Sequence, residues 1–345
     1  MEVLVLEGLR GSDIRGGGGG RANRAFVGRD GTLLYLPGSG APDDRTMVWV
    51  DRAGNEEALD APPRAYLEPK LSPDGGRILV TVDGDILLHD VARSTQLPLV
   101  THPRLDQRGL WTPDGREVFF ASDRDRDIGV FDIFRIAAPG AGQAELFYAD
   151  PDRSLSASSW SADGQTLLVT GPDPTGPNGF DIGTVLMSGE GERRWMPLFE
   201  PHNEFYPAIS PAGGRWLAYN SDEAGQRGVY VQTFPDLEGG KWPVSPGYQH
   251  EAAWARDGTE LFYRSARDGG QMMVVSVASE PPSPVGVPQR LFEDVYFHHD
   301  IGRQFDVAPD GRFLMLKRGA DSPVPREITV VRNWVDQLRE RAPAN

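Results

Sequence analysis

The chain has 345 residues with 41 Gly, 29 Pro and no Cys, and 35 Lys+Arg against 50 Asp+Glu give a formal net charge of −15. The missing cysteines exclude disulfides, thiolate metal sites and a Cys nucleophile, and the acidic balance, which repels a phosphate backbone, excludes a broad nucleic-acid footprint. Gly plus Pro, 70 of 345 residues, exceeds the usual share of about 12% and suits many short strands joined by turns.

Residues 2–7 open the chain with acids where an export signal carries Lys or Arg, and no apolar run approaches the roughly 18–20 residues that span a bilayer. As written, the chain reads as cytoplasmic, or as extracytoplasmic if it is a piece of a larger anchored protein. A flexible Gly-rich segment follows over 10–24. From there one unit recurs seven times: an apolar residue, two residues, Asp-Gly or a near match, then an apolar triplet. Its copies include Leu71-Ser72-Pro73-Asp74-Gly75, Trp111-Thr112-Pro113-Asp114-Gly115 and Trp254-Ala255-Arg256-Asp257-Gly258. The glycines at 31, 75, 115, 164, 213, 258 and 311 fall at the roughly 40–50-residue period of a four-stranded propeller blade.

Turn chemistry explains the unit. Ser or Thr bonds back to the backbone, Pro pre-sets φ, Asp tolerates the next position and Gly accepts positive φ. The turn therefore reverses the chain between the first two strands of each blade. The triplets after it, such as Ile78-Leu79-Val80 and Leu261-Phe262-Tyr263, mark strands buried on both faces. This predicts an all-β, seven-bladed propeller, with a six-bladed ring plus an irregular N-terminal region as the alternative. The blades are expected at 25–60, 66–100, 107–149, 156–200, 205–246, 250–294 and 303–332. Residues 2–7 are expected to complete the last blade and clasp the ring, which removes open sheet edges. Residues 333–341, with Trp334, Val335 and Leu338, are predicted as a short C-terminal helix.

These repeats resemble TolB-like propeller repeats, relatives of WD-type repeats, over nearly the whole chain. Phe26 with Gly31 to Tyr35, Met47 to Arg52, Gly228 to Pro235 with Gly239 to Trp242, and Ile328 to Leu338 also resemble the propellers carried behind bacterial serine/threonine kinase domains. The kinase motifs themselves are missing from this sequence. The resemblance implies a fold far more specifically than a function, since propellers host many unrelated tasks.

Enzyme signatures are few. The sequence has no Gly-x-Ser-x-Gly elbow, Walker loop or His-Glu-x-x-His, and no cofactor is called for. Five of six histidines, His102, His202, His250, His298 and His299, fall between blades, where side chains rim the mouth of a central channel. The candidate ligand-binding residues are Arg64, Tyr66, Glu68, Arg108, Arg153, His202, Glu204, His250, Glu251 and His299. Three readings stay open: a solvated polar funnel, an arginine-containing pocket for an acidic ligand or peptide terminus, and a divalent-metal site using His202, His250 and His299. The last is the chemistry of a metal-dependent lyase or hydrolase, and some propeller lyases resembling this fold use a His-lined metal. The expected role is a non-catalytic scaffold, a monomer binding a protein, a peptide or a small polar ligand as a sensory or interaction module. Trp111, Trp160 and Trp254 occupy one repeat column and are read as inter-blade packing.

Overall fold

The computed structural model describes residues 25–27, 33–35, 44–138, 140, 142–172, 179–187, 195–198, 202–211, 213–245, 249–266, 270–278, 284–299, 302–319 and 329–332. The chain divides into two compact units, one of Met1–Asp44 with Arg318–Asn345 and the other of Arg45–Lys317.

In the larger unit the repeated turn forms as its chemistry dictates. At Thr112-Pro113-Asp114-Gly115, the Gly115 amide donates to the Thr112 carbonyl at 2.9 Å, and the Thr112 hydroxyl donates to Asp114 Oδ1 at 2.7 Å. The amides of Arg116 and Glu117 then donate to Asp114 Oδ1 and Thr112 Oγ1 at 3.1 and 3.0 Å. The turn glycines sit at φ of 68–84°, a region costly for any residue with a Cβ. The turns also abut one another. A Cβ added at Gly75 would lie 2.9 Å from Pro309 Cδ, and one at Gly115 would lie 3.5 Å from Pro73 Cδ.

Five sheets follow the chain, each with four antiparallel strands in sequence order. They span 67–100, 106–148, 156–197, 204–245 and 249–293 and are numbered here as blades 1 to 5. Blade 6 is composite. Phe305–Val307 and Phe313–Arg318 supply its inner two strands, and Arg45–Val50 and Glu56–Ala58 its outer two. The apolar core lies in six layers, one between each pair of neighbouring blades. The layer of Met47, Trp49, Leu314 and Leu316 against Leu71, Ile78 and Val80 joins blade 6 to blade 1 and completes the circle.

The larger unit is thus a six-bladed propeller, and the expectation of seven blades is corrected. The copy expected as the first blade is split. Ala25–Val27 and Leu33–Tyr35 pair with each other, and Leu33–Tyr35 pairs with Thr329–Val331, in a three-stranded sheet of the smaller unit. The remaining strands of that copy serve the last blade. The free edge of Phe313–Arg318 has two apolar candidates for a third strand, Arg45–Val50 and Thr329–Val331. The first is six residues long and buries Met47, Val48, Trp49 and Val50 to 7% exposure or less. The second is three residues long, with Val330 exposed. Burial favours the longer strand at about 25 cal/mol per Å² of apolar surface. An N-terminal strand does close the last blade, as expected, but it comes from 45–58. The expected clasp at 2–7, the segment 10–24 and the helix 333–341 lie outside the described residues.

A candidate site at the channel mouth

The inner strands of the six blades neighbour one another in cyclic order around the axis, and the mouth lies where they begin. Counting back from the last inner-strand residue (Leu71, Trp111, Trp160, Ile209, Trp254 or Val307), the position three earlier holds Glu68, Arg108, Ala157, Tyr206, Glu251 or Gln304. At four of these, Glu68, Arg108, Tyr206 and Glu251, φ is 53–57°, because a β-bulge interrupts the register of the strand.

At Glu68 and Glu251 the bulged side chain reaches the next blade's backbone, and unbulged Gln304 does the same. Glu251 Oε2 accepts the Gln304 amide at 2.7 Å, Gln304 Oε1 accepts the Glu68 amide at 3.1 Å, and Glu68 Oε2 accepts the Arg108 amide at 3.0 Å. Arg108 then donates from its guanidinium to Ser156 Oγ at 3.0 Å. One strand position thus stitches blades 5, 6, 1, 2 and 3. Further up the strand, Trp111 and Trp254 donate their indole N–H to the carbonyls of Lys70 and Ala208 in the preceding blades, at 3.3 and 2.8 Å.

The predicted site residues divide accordingly. Glu68 and Glu251 are buried in the stitch. Tyr66 is buried as well, donating its hydroxyl to the Pro62 carbonyl at 2.6 Å and accepting from Gln96. Arg64 is exposed and pairs through its backbone with Arg45. Arg108 is half-buried and its Nε lies 3.5 Å from Glu68. Half-buried Arg153 lies 3.6 Å from Asp150, with its guanidinium over the Trp195 ring. His202 and His299 are half-buried, and the His299 ring lies 6.1 Å from that of Phe297. His250 is placed by its backbone, opposite Arg264; its side chain lies outside the described residues. His202 belongs to blade 4, whereas His299 lies between blades 5 and 6. Among the described residues no group of three His, Asp or Glu side chains is arranged to hold a metal ion.

Glu204, the first inner-strand residue of blade 4, differs from the others. It is 3% exposed, accepts one long hydrogen bond from Ser221 Oγ at 3.4 Å, and leaves Oε2 without a hydrogen-bond partner. Burial, reinforced by Asp181, raises its carboxyl to about 8.

Two further clusters escaped the sequence reading. Buried Arg264 donates to Asp294 through Nε and Nη2 at 2.6 and 2.9 Å, and to the Phe297 carbonyl at 2.9 Å. Burial works to raise the Asp294 carboxyl, but hydrogen bonds from His298 and Arg264 hold it well below the usual range. Lys70, in the wall of the channel, is lowered to about 7 by burial and by Arg303, despite Asp306, Glu68 and Glu251. The signal for both was a basic residue beside apolar ones, Arg264 after Leu261-Phe262-Tyr263 and Lys70 between Pro69 and Leu71.

The fold has many solved counterparts. A protein assigned as TolB from Agrobacterium tumefaciens superposes with a TM-score of 0.64 at 16% identity, covering 83% of this chain and 100% of that one. The fold is that of a TolB-like propeller. TolB from Acinetobacter baumannii matches with a TM-score of 0.54 at 16% identity, over 86% of this chain and 68% of its own. The tricorn protease matches with a TM-score of 0.54 at 14% identity, over 79% of this chain and only 26% of its own. No family profile matches the sequence, and no curated protein resembles it closely enough to register.

Proposed function

We propose that this TolB-like propeller is a non-catalytic binding scaffold that takes a protein, a peptide or a small polar ligand at the channel mouth, as the sensory or interaction part of a larger signalling assembly. One observation carries the reading. The stitched strand position fixes the inner ring, while His202, Arg153 and His299, on the segments between blades, are half-buried. A rigid frame bearing partly solvated donors suits recognition, because little ordering is left for the ligand to impose.

The test is a thermal-shift screen of peptides and small polar ligands on the parent chain, repeated with His202→Ala and Arg153→Ala. The reading expects at least one ligand whose stabilisation falls tenfold or more in potency in a variant. If no ligand binds, or if every ligand binds the variants as it does the parent, the reading fails. A shift with Mn²⁺, Zn²⁺ or Ca²⁺ that His202→Ala abolishes would replace it with the metal-dependent alternative.

A further inference from the structure

Blades 2 and 4 are built alike where their first two strands meet. Asp106 pairs with Ser122 in blade 2 and Glu204 with Ser221 in blade 4. The next residue caps the approach to the inner strand in both: Asp123 Oδ1 accepts the Leu105 amide at 2.8 Å, and Asp222 Oδ1 the Asn203 amide at 3.0 Å. The residue after that donates its amide to the serine hydroxyl, at 3.3 Å from Arg124 and 3.2 Å from Glu223. Behind each acid lies a stacked aromatic pair on equivalent strand positions. Phe120 and Phe134 have centroids 5.9 Å apart at 28°, and Tyr219 and Tyr230 have centroids 5.9 Å apart at 25°.

One residue differs in charge. In blade 2 the Arg124 guanidinium bonds Asp106 Oδ1 at 2.8 Å and lies 5.4 and 4.7 Å from the centroids of Phe120 and Phe134. In blade 4 the same backbone position carries Glu223, which is turned to the Lys241 ammonium on the outer strand. The Lys241 ammonium lies 5.6 Å from the Tyr230 centroid and is held by Glu223, and among the described residues no guanidinium is placed on Glu204 as Arg124 is on Asp106; one oxygen of each acid, Glu204 Oε2 and Asp106 Oδ2, has no hydrogen-bond partner. Asp181, Asp222 and Glu223 add negative potential around Glu204. A buried acid with a single long hydrogen bond keeps its proton to avoid a buried charge, and a planar cation that bonds the carboxylate and stacks on a ring lets it release that proton at lower cost.

The geometry points to Glu204 as the recognition point for a guanidinium group, that of an arginine side chain on a bound peptide, seated against Tyr219 and Tyr230 as Arg124 is seated in blade 2. This rests on the binding-scaffold reading and gives its ligand a chemistry.

The test titrates the parent chain calorimetrically at pH 7 with an acetylated, amidated Ala-Arg-Ala peptide and with its citrulline twin, which keeps the shape and loses the charge. The arginine peptide is expected to bind at least tenfold tighter than the twin. Glu204→Gln should remove that preference. Glu223→Arg should fill the seat from within, abolishing binding while its Tm equals or exceeds that of the parent. That second variant keeps the test decisive if Glu204→Gln fails to fold. Equal binding of the two peptides, binding retained in both variants, or no binding of the arginine peptide at millimolar concentration would each overturn the inference. So would Mn²⁺ or Ca²⁺ binding that depends on Glu204, because it would assign the acid to a metal. If the peptide fails while a ligand from the wider screen still binds through His202 or Arg153, the scaffold reading survives and only the guanidinium is lost.

Discussion

Glu204 costs the folded chain more as the pH rises. Its carboxyl is raised to about 8, against roughly 4.3 for an unperturbed Glu. Between those values the folded state holds a proton that the unfolded state has released, so stability falls with rising pH across the window and levels off above it. The effect is on the order of a few kcal/mol. Glu204→Gln, which mimics the protonated form, should flatten the decline and leave the variant more stable than the parent at pH 8.5. Urea unfolding at pH 5 and pH 8.5 checks this, and parallel declines in the two proteins would contradict it. The sequence identified Glu204 as a mouth residue but not its isolation. That depends on comparing Ser122-Asp123-Arg124 with Ser221-Asp222-Glu223, a difference that acquires meaning only once the two blades are superposed. Glu68 and Glu251 were read as mouth groups for the opposite reason. A charged residue at an inner-strand start looks solvated in a linear pattern, whereas the bulge swings it onto the neighbouring backbone.

The turn is the element most fully encoded in the sequence, because each position has its own local reason to be Ser/Thr, Pro, Asp or Gly. Its two functions separate experimentally. Gly75 and Gly213 have nearly equal φ, 74° and 72°. A Cβ at Gly75 strikes Pro309 of the neighbouring blade, whereas one at Gly213 meets nothing within 4 Å. Gly213→Ala should therefore cost only backbone strain, about 1 kcal/mol, and Gly75→Ala about 2–3 kcal/mol, because the blade contact must also shift. Chemical denaturation of the two variants measures the difference, and equal costs would show that the turns do not bear on one another. Strand pairing was less legible. Arg45–Val50 and Thr329–Val331 both read as apolar third strands, and nothing local says which sheet edge each will take. The outcome depends on how much each strand buries once it arrives.

Across the whole molecule, the composite blade makes ring integrity depend on a few side chains far apart in sequence. Met47 is fully buried between blades 6 and 1. Met47→Ala should cost about 2–5 kcal/mol and lower the unfolding midpoint of the larger unit, while Val330→Ala, at a position 54% exposed in the smaller unit, should change it little. Urea unfolding followed by tryptophan fluorescence distinguishes the two. A Met47→Ala midpoint equal to that of the parent would mean the closing strand does not hold the ring.

That same blade sets a schedule for biosynthesis. Arg45–Val50 and Glu56–Ala58 leave the ribosome early, yet the strand they must join, Phe313–Arg318, is made roughly 250 residues later, some tens of seconds at about 5–20 residues per second. During that interval the five sequential sheets, 67–293, are made one after another, and the growing arc keeps an apolar flank at each end, exposed to chaperones and to neighbouring nascent chains. Arrest during this interval, rather than misfolding of any single sheet, is the point at which this protein is most open to aggregation.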